Sequence, residues 1–220
     1  MTTYRIVNSQ EHIPIGKVIC LARTYHKHAQ EMQSEVPAEP ILFLKPESSI
    51  IFSHQSIILP KMSTSVHYEI ELGIVIGKQG KHIPEHKAMD YVFGYVVALD
   101  VTARDIQTVA KKKGWPWSIA KGFDTFAPIS DVVLASPDID PHHQQLILTV
   151  NGSIKQQSNT KYLSHSIPAI LSFISQVMTL KRGDLILTGT PEGVGELHDG
   201  DTIEAKLGNL CSLVVTVKKQ

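Results

Sequence analysis

The sequence has few cysteines, no excess of charge of either sign and no long apolar run. Its 220 residues include only Cys20 and Cys211, which lie too far apart for a metal or redox motif. This indicates a reducing compartment and argues against a disulfide framework. The 21 basic and 21 acidic residues cancel, so we expect no nucleic-acid partner. No apolar stretch approaches the roughly 20 residues that span a bilayer, so we expect no membrane partner.

Local basic and targeting signals are equally weak. The run Lys111-Lys112-Lys113 is too short for a basic stripe, and we interpret it as the solvated face of a helix. The N-terminal residues lack the basic and apolar regions of a secretory signal and the arginine-rich character of a transit peptide. We therefore expect a cytoplasmic protein.

Two glutamates occupy alternate positions of a predicted strand over residues 66–76. Alternate residues of a strand share a face, so Glu69 and Glu71 point one way and Ile70 and Leu72 the other. Against a core, two such carboxylates would repel each other unless a cation lay between them. Carboxylate oxygens suit Mg²⁺, Mn²⁺ or Ca²⁺. The alternative is a half-exposed strand with two solvated glutamates.

A third carboxylate ends a second apolar strand, predicted over residues 91–99. Asp100 follows this strand and precedes a helix predicted to open over residues 101–107. An acid at the end of a buried strand needs a partner, so Asp100 is either a third cation ligand or the N-cap of the helix.

A histidine and a glutamate lie three residues apart on another predicted helix, for which Thr24 is the expected N-cap. His28 and Glu31 are then neighbours, and a carboxylate beside an imidazole orients it as a general base. The alternative is a surface ion pair of little consequence. His26 competes for the role but has no acidic residue three or four positions ahead.

Two further segments carry groups that suit an anionic ligand. Lys121 lies in an apolar and aromatic stretch and is either a fixed positive charge for a carboxylate or oxyanion, or a lysine that snorkels from an exposed edge. The glycine-rich loop over residues 189–195 is not a Walker A loop. It could offer backbone N–H groups and the Thr190 hydroxyl to a small carboxylate.

The remaining pattern is mostly that of strands. The Asn151-Gly152 pair predicts a type I′ hairpin, and apolar spacing predicts a helix over residues 167–180 with Pro168 in its first turn. Further strands are predicted over residues 16–22, 41–44, 57–59, 128–135, 144–150, 153–157, 185–188 and 202–205.

Five motifs carry a resemblance to a known family. In order along the chain they are RTYHKHAQEM (23–32), LFLKP (42–46), HYEIELG (67–73), LDVTARD (99–105) and LTGTPEGVG (187–195). With them the sequence resembles the fumarylacetoacetate hydrolase superfamily from about residue 15 to its end. It is most similar to the short, single-domain branch of acylpyruvate hydrolases and oxaloacetate decarboxylases or tautomerases.

The resemblance implies a fold and a set of site residues. The fold would be α+β and mostly β, a mixed β-sandwich roll with a few short helices, with a lead-in over residues 1–15 and one catalytic domain over residues 16–220. The members of the implied site are Glu69, Glu71 and Asp100 as ligands of Mg²⁺ or Mn²⁺; His28, Glu31 and Lys121 as catalytic residues; and Arg23, Tyr25, Arg104, Gln107, Gly189 and Thr190 as substrate-binding residues.

The resemblance also implies an activity. The expected enzyme is a homodimeric, metal-dependent hydrolase that cleaves a C–C bond of acylpyruvate-type 2-oxo acids through a metal-stabilised pyruvate enolate. The alternatives are an oxaloacetate decarboxylase or tautomerase, an isomerase or hydratase of a hydroxymuconate-type diacid, and a small-carboxylate binding module without chemistry. One departure from relatives is that Ala22 and Thr24 stand where Gly and Asn are common.

Overall fold

The computed structural model describes residues 2–220, of which 38% lie in strands and 20% in helices. This confirms the predicted α+β, mostly β fold. The sixteen strands and four α-helices of the described residues are numbered here in chain order. No helix among these residues is both long and apolar enough to cross a membrane.

An eight-stranded mixed sheet forms the centre of the molecule. Its strands run, in spatial order, β2 (Ile41–Lys45), β1 (Val18–Ala22), β13 (Leu185–Leu187), β6 (Ile70–Ile76), β7 (Val92–Leu99), β9 (Ala127–Ile129) and β3 (Ile50–Phe52), with β10 (Val133–Leu134) paired to β7. Strands β1 and β13 are parallel, as are β3 and β9, and the other pairs are antiparallel.

Two smaller sheets complete the β structure. One has five strands in the order β12 (Ser153–Asn159), β11 (Gln145–Val150), β15 (Thr202–Leu207), β16 (Cys211–Lys219) and β4 (Ser56–Leu59). The other has three short strands in the order β14 (Gly195–Glu196), β5 (Val66–Tyr68) and β8 (Thr102–Ala103).

The helices are short and lie between strands. They are α1 (His26–Glu31), α2 (Arg104–Lys113), α3 (Ser118–Lys121) and α4 (Ile167–Val177), together with single 3₁₀ segments at Glu47–Ser49, Glu85–Tyr91 and Thr160–Tyr162. Ser166 caps α4 by accepting a hydrogen bond from the Ala169 N–H, as serine commonly does.

Strand β6 separates two apolar cores, because its side chains alternate between its faces. Ile70, Leu72 and Ile74 pack into the larger core and Val75 into the smaller one. Both faces are therefore buried, which explains the nearly continuous apolar sequence. Glu71 is the charged exception on this strand.

Several predicted boundaries need correction. The strand predicted over residues 66–76 is broken at Glu69, and the one over 128–135 is divided between β9 and β10. Helix α1 begins at His26 with Tyr25 as N-cap, because the Thr24 hydroxyl instead donates to the Thr188 carbonyl at 2.7 Å. Helix α4 ends three residues early, because Leu180 pairs with Gly80.

The hairpin turn is confirmed, with φ of 51° at Asn151 and 77° at Gly152. Residues 2–15, which belong to the predicted lead-in, contribute Tyr4, Ile6 and Ile13 to the smaller core.

Candidate active site and metal centre

Three carboxylates meet where the chain changes sheets. Glu69 lies between β5 of the three-stranded sheet and β6 of the eight-stranded sheet, and Glu71 is the second residue of β6. Asp100 follows β7, the antiparallel partner of β6, and its N–H donates to the Glu69 carbonyl at 2.8 Å. One oxygen from each of these carboxylates lies within 4.8 Å of the others.

The structure decides between the alternatives that the sequence left open for the three acids. Glu69, Glu71 and Asp100 are 5%, 1% and 1% exposed, so the half-exposed strand with solvated glutamates is wrong. Asp100 is not a helix cap either, because the N-cap of α2 is Ala103. The reason is the intervening strand β8, which delays the start of the helix beyond the predicted segment.

Two of the three acids are paired with buried cations. The Lys121 ammonium lies 3.0 Å from Glu69 Oε2 and 2.5 Å from Asp100 Oδ2. Arg104 also pairs with Glu69, and Lys45 Nζ lies 2.8 Å from Asp100 Oδ1. With 2% of its surface exposed, Lys121 cannot snorkel to solvent, so that alternative is wrong. Burial disfavours its charge, yet Asp100 and Glu69 hold the pKa of Lys121 above its ordinary value.

Glu71 differs from the other two acids because no cationic side chain lies within 4 Å of it in residues 2–220. Its Oε2 accepts a 2.6 Å hydrogen bond from the Gly189 N–H. Burial and the neighbouring Asp100 and Glu69 raise the pKa of Glu71 well above its ordinary value. For Glu69, burial acts in the same direction, but Lys121 and Arg104 outweigh it and lower the pKa.

The residues present fit a hard divalent cation. All three donors are carboxylate oxygens, the ligand type that Mg²⁺ and Mn²⁺ prefer, and one of them, Glu71, has no cationic side chain in residues 2–220 to balance its charge. In addition, no aligned hydrogen bond from residues 2–220 reaches Asp100 Oδ1, although Lys45 Nζ lies 2.8 Å from it and donates to the carbonyls of Val101 and Lys121. A cation at this position would relieve the repulsion that raises the pKa of Glu71.

The His28–Glu31 pair stands beside the carboxylates, with its histidine buried and its glutamate exposed. His28 is 8% exposed, and its Nδ1 lies 3.0 Å from Glu31 Oε2. Glu31 also accepts from the Gly193 N–H at 3.1 Å, which fixes α1 to the glycine-rich loop. Gly193 has φ of +93°, and a Cβ there would meet the Lys155 carbonyl at 2.4 Å. His26, the competing residue, is exposed.

A narrow cavity of about 40 Å³ connects these groups. The predicted site residues in its wall are Arg23, His28, Glu69, Glu71, Asp100, Arg104, Gln107, Lys121 and Thr190. Glu31 and Gly189 are outside this wall. Glu31 contacts Nδ1 of His28, and Gly189 donates its N–H to Glu71. Tyr25 belongs to the larger core and to the wall of a neighbouring cavity, so the structure does not place it in this one.

The sequence interpretation missed three residues of the site. Lys45 received no role beyond its place in the motif LFLKP, although it is 2% exposed between an apolar strand and Pro46. Gln156 accepts from the Ile70 N–H at 2.9 Å and donates to Thr190 Oγ1 at 3.0 Å, a link between sheets that no local pattern indicates. Lys111, which we assigned to a solvated helix face, is exposed but also lines the cavity.

The chain is similar to known proteins in family, in sequence and in structure. Residues 17–218 match the family model described as the C-terminal region of fumarylacetoacetate (FAA) hydrolase. The mitochondrial oxaloacetate tautomerase FAHD1 of Mus musculus is 45% identical over 202 residues, which are 92% of this chain and 91% of the relative.

Two solved structures extend the comparison. The fumarylpyruvate hydrolase of Pseudomonas aeruginosa, crystallised with Mn²⁺ and pyruvate, superposes with a TM-score of 0.95 at 36% identity over 100% of this chain and 96% of that one. The 2-hydroxyhepta-2,4-diene-1,7-dioate isomerase of Mycobacterium marinum gives a TM-score of 0.83 at 39% identity over 94% and 76%.

Proposed function

The chain belongs to the fumarylacetoacetate hydrolase family, and on that premise we propose that it is a metal-dependent hydrolase that cleaves acylpyruvate-type 2-oxo acids into a carboxylic acid and pyruvate. The observation that carries the proposal is the His28–Glu31 pair beside the three buried carboxylates. A hydrolase needs both a base that activates water and a means of stabilising the departing enolate.

The proposed ligands of the cation are Glu69, Glu71 and Asp100. When bound, Mg²⁺ or Mn²⁺ would supply Lewis-acid stabilisation of the negative charge that develops on the 2-oxo group. The Mn²⁺ and pyruvate of the Pseudomonas aeruginosa relative support a divalent ion and a pyruvyl fragment at such a site. The small cavity supports a small substrate.

The other polar residues have distinct proposed roles in this reaction. Glu31 holds Nδ1 of His28, so the remaining ring nitrogen, Nε2, can take a proton from water. Lys121, a buried ammonium group in the cavity wall, steadies the oxyanion that water attack creates at the acyl carbon. Arg104 and Gln107 contact each other at 2.6 Å and, with Thr190, orient the 2-oxo acid.

Oxaloacetate tautomerisation is the second candidate, favoured by the 45% identity to the mouse enzyme. It needs proton transfers but no attacking water, and decarboxylation of oxaloacetate likewise proceeds without water attack. The isomerase from Mycobacterium marinum represents a third reaction on the same fold. A homodimer and a cytoplasmic location remain predictions; the mouse relative is described as mitochondrial.

Substrate profiling with one matched pair of variants tests the proposal. Purified protein with Mn²⁺ is given acetylpyruvate or oxaloacetate, and loss of the enol absorbance and release of pyruvate are followed. We expect acetylpyruvate cleavage that His28→Ala reduces at least 100-fold, while His26→Ala, on the exposed side of the same helix, stays within twofold of the wild type. Wild-type protein that only tautomerises oxaloacetate would contradict the hydrolase assignment, and turnover by neither reaction would contradict both candidates.

A further inference from the structure

The peptide group between Thr188 and Gly189 is hydrogen-bonded through both of its polar atoms. Its carbonyl, on Thr188, accepts from the Thr24 hydroxyl at 2.7 Å, and its N–H, on Gly189, donates to Glu71 Oε2 at 2.6 Å. The side chains of Thr24 and Glu71 are both buried. One planar peptide therefore connects a buried hydroxyl to the acid that has no cationic partner in residues 2–220.

The fold fixes this peptide group against Thr24. Gly189 adopts φ of +95°, a conformation that glycine accepts at little cost. A Cβ at Gly189 would overlap the Thr24 hydroxyl, so the two residues pack with no room for a side chain between them. On the other side of the peptide, the Thr188 N–H donates to the Leu72 carbonyl of β6 at 3.1 Å. The N–H of Gly189 is thereby aimed at Glu71.

Thr24 is itself held in place by its backbone. It lies between β1 and Tyr25, the N-cap of α1, and its carbonyl accepts from the Ser164 N–H at 2.8 Å. Its hydroxyl makes no capping hydrogen bond to α1 and, in residues 2–220, bonds to the Thr188 carbonyl alone. The hydroxyl is therefore committed to the 188–189 peptide.

Two hydrogen bonds on one peptide group strengthen each other. A donor on the carbonyl oxygen polarises the amide, so that the N–H of the same group becomes a better donor. In this structure that N–H donates to a carboxylate, which makes the hydrogen bond charge-assisted. Holding one oxygen of a carboxylate also fixes the direction of the other. Outer hydrogen bonds of this kind orient the carboxylates that ligate metal ions.

We infer that Thr24 is a positioning residue of the candidate cation site, because its hydroxyl fixes and polarises the peptide that orients Glu71. The inference rests on the proposed function, in which Glu71 is a ligand of Mg²⁺ or Mn²⁺. Thr24 does not line the cavity, so it acts only through the 188–189 peptide. It also connects the start of α1, which carries His28, to the carboxylates.

Removal of the hydroxyl with its shape retained tests the inference. In Thr24→Val the amide proton resonance of Gly189, followed by NMR of the metal-free protein, should move upfield because its hydrogen bond to Glu71 weakens. Calorimetric titration should show Mn²⁺ bound about tenfold more weakly, the lower end of the effect of losing an outer hydrogen bond. Thr24→Ala should behave like Thr24→Val, and it provides the comparison if the valine variant does not fold. Thr24→Ser keeps the hydroxyl and should restore both measurements.

A matched control separates this role from the general loss of a buried hydroxyl. Thr160 is fully buried outside the cavity wall, and its hydroxyl accepts from the Gln144 N–H at 2.9 Å. Thr160→Val should change neither the Gly189 resonance nor the affinity for Mn²⁺. An unmoved Gly189 resonance or an unchanged affinity in the variants without the Thr24 hydroxyl would overturn the inference, as would Thr24→Ser that binds as weakly as they do. A wild type that binds no Mn²⁺ is a different result, which contradicts the proposed function.

Discussion

Glu71 is the acid whose charge the metal-free protein accommodates least well, and Glu71→Gln should therefore stabilise that form. Three carboxylate oxygens lie within 4.8 Å of one another, and at an effective dielectric constant of 20 each like-charged pair costs about 3 kcal/mol. Protonation limits the penalty, because moving a carboxyl from an ordinary pKa near 4.3 to neutrality at pH 7 costs about 4 kcal/mol. We expect the Glu71→Gln substitution to recover about 2–3 kcal/mol in the free energy of unfolding.

The sign of the pH dependence follows from the raised pKa of Glu71. A group whose folded-state pKa exceeds its unfolded value causes no destabilisation below the unfolded value, about 4.3, and increasing destabilisation as the pH rises above it. The stabilisation by Glu71→Gln should therefore be largest near neutral pH and shrink towards pH 4. The amide oxygen can still accept the hydrogen bond from the Gly189 N–H, so no other contact needs to be lost.

Thermal unfolding, monitored by calorimetry or circular dichroism, measures the Tm of the metal-free and of the Mn²⁺-loaded protein. At roughly 2–4 °C per kcal/mol for a chain of this size, the chelator-treated Glu71→Gln variant should melt about 4–12 °C above the wild type. Added Mn²⁺ should raise the Tm of the wild type but not that of the variant. Glu204→Gln, at an exposed position on β15, should change neither the Tm of the metal-free protein nor the rise in Tm on addition of Mn²⁺. A destabilised Glu71→Gln protein that still gains Tm with Mn²⁺ would refute the reasoning.

Three further substitutions test the surroundings of the site. Lys45→Met should destabilise the fold by about 3–5 kcal/mol in urea unfolding, because it removes one of the two buried cations that balance Asp100 and the donor of the Val101 and Lys121 carbonyls; a loss below 1 kcal/mol would contradict this role. Gln156→Glu can still accept from the backbone but cannot donate to Thr190. Steady-state kinetics should show KM raised about tenfold with kcat less affected, and an unchanged KM would count against the contact. Gly193→Ala should lower kcat at least tenfold by displacing the loop that holds Glu31, whereas wild-type kcat would show that this hydrogen bond is dispensable.

The strand pattern made the fold largely predictable from sequence. The alternation at Ile70, Glu71 and Leu72 is a local property, and the structure places these side chains on the faces that the period of two predicts. The Asn151-Gly152 turn is local as well, since both residues must adopt positive φ. Such features depend on neighbours in the chain and not on the final packing.

The break at Glu69 could not be predicted in this way. A strand that leaves one sheet and enters another has the same alternation on both sides of the break. The change of sheet appears only when the distant strands β8 and β14 pair with β5. The same limitation applies to helix α4, whose apolar period continues past its end at Val177 because Leu180 is buried in a strand-like pairing with Gly80.

For the site, sequence reasoning found residues with an unusual local setting and missed those whose role depends on tertiary contacts. Glu71 and Asp100 interrupt or end apolar strands, which is a visible anomaly. Lys45 and Gln156 occupy ordinary positions in their segments, and only the packing of distant strands gives them partners. Lys111 follows the same rule, since its helix face is polar in sequence and faces the cavity only in the folded protein.

The central claim is that Glu69, Glu71 and Asp100 together hold one divalent cation. Calorimetric titration of the metal-free protein with Mn²⁺, carried out in parallel on the wild type and Asp100→Asn, tests it directly. The account predicts one ion bound per chain in the wild type and at least 100-fold weaker binding in the variant. Equal binding by the two proteins, or no binding by the wild type, would contradict it.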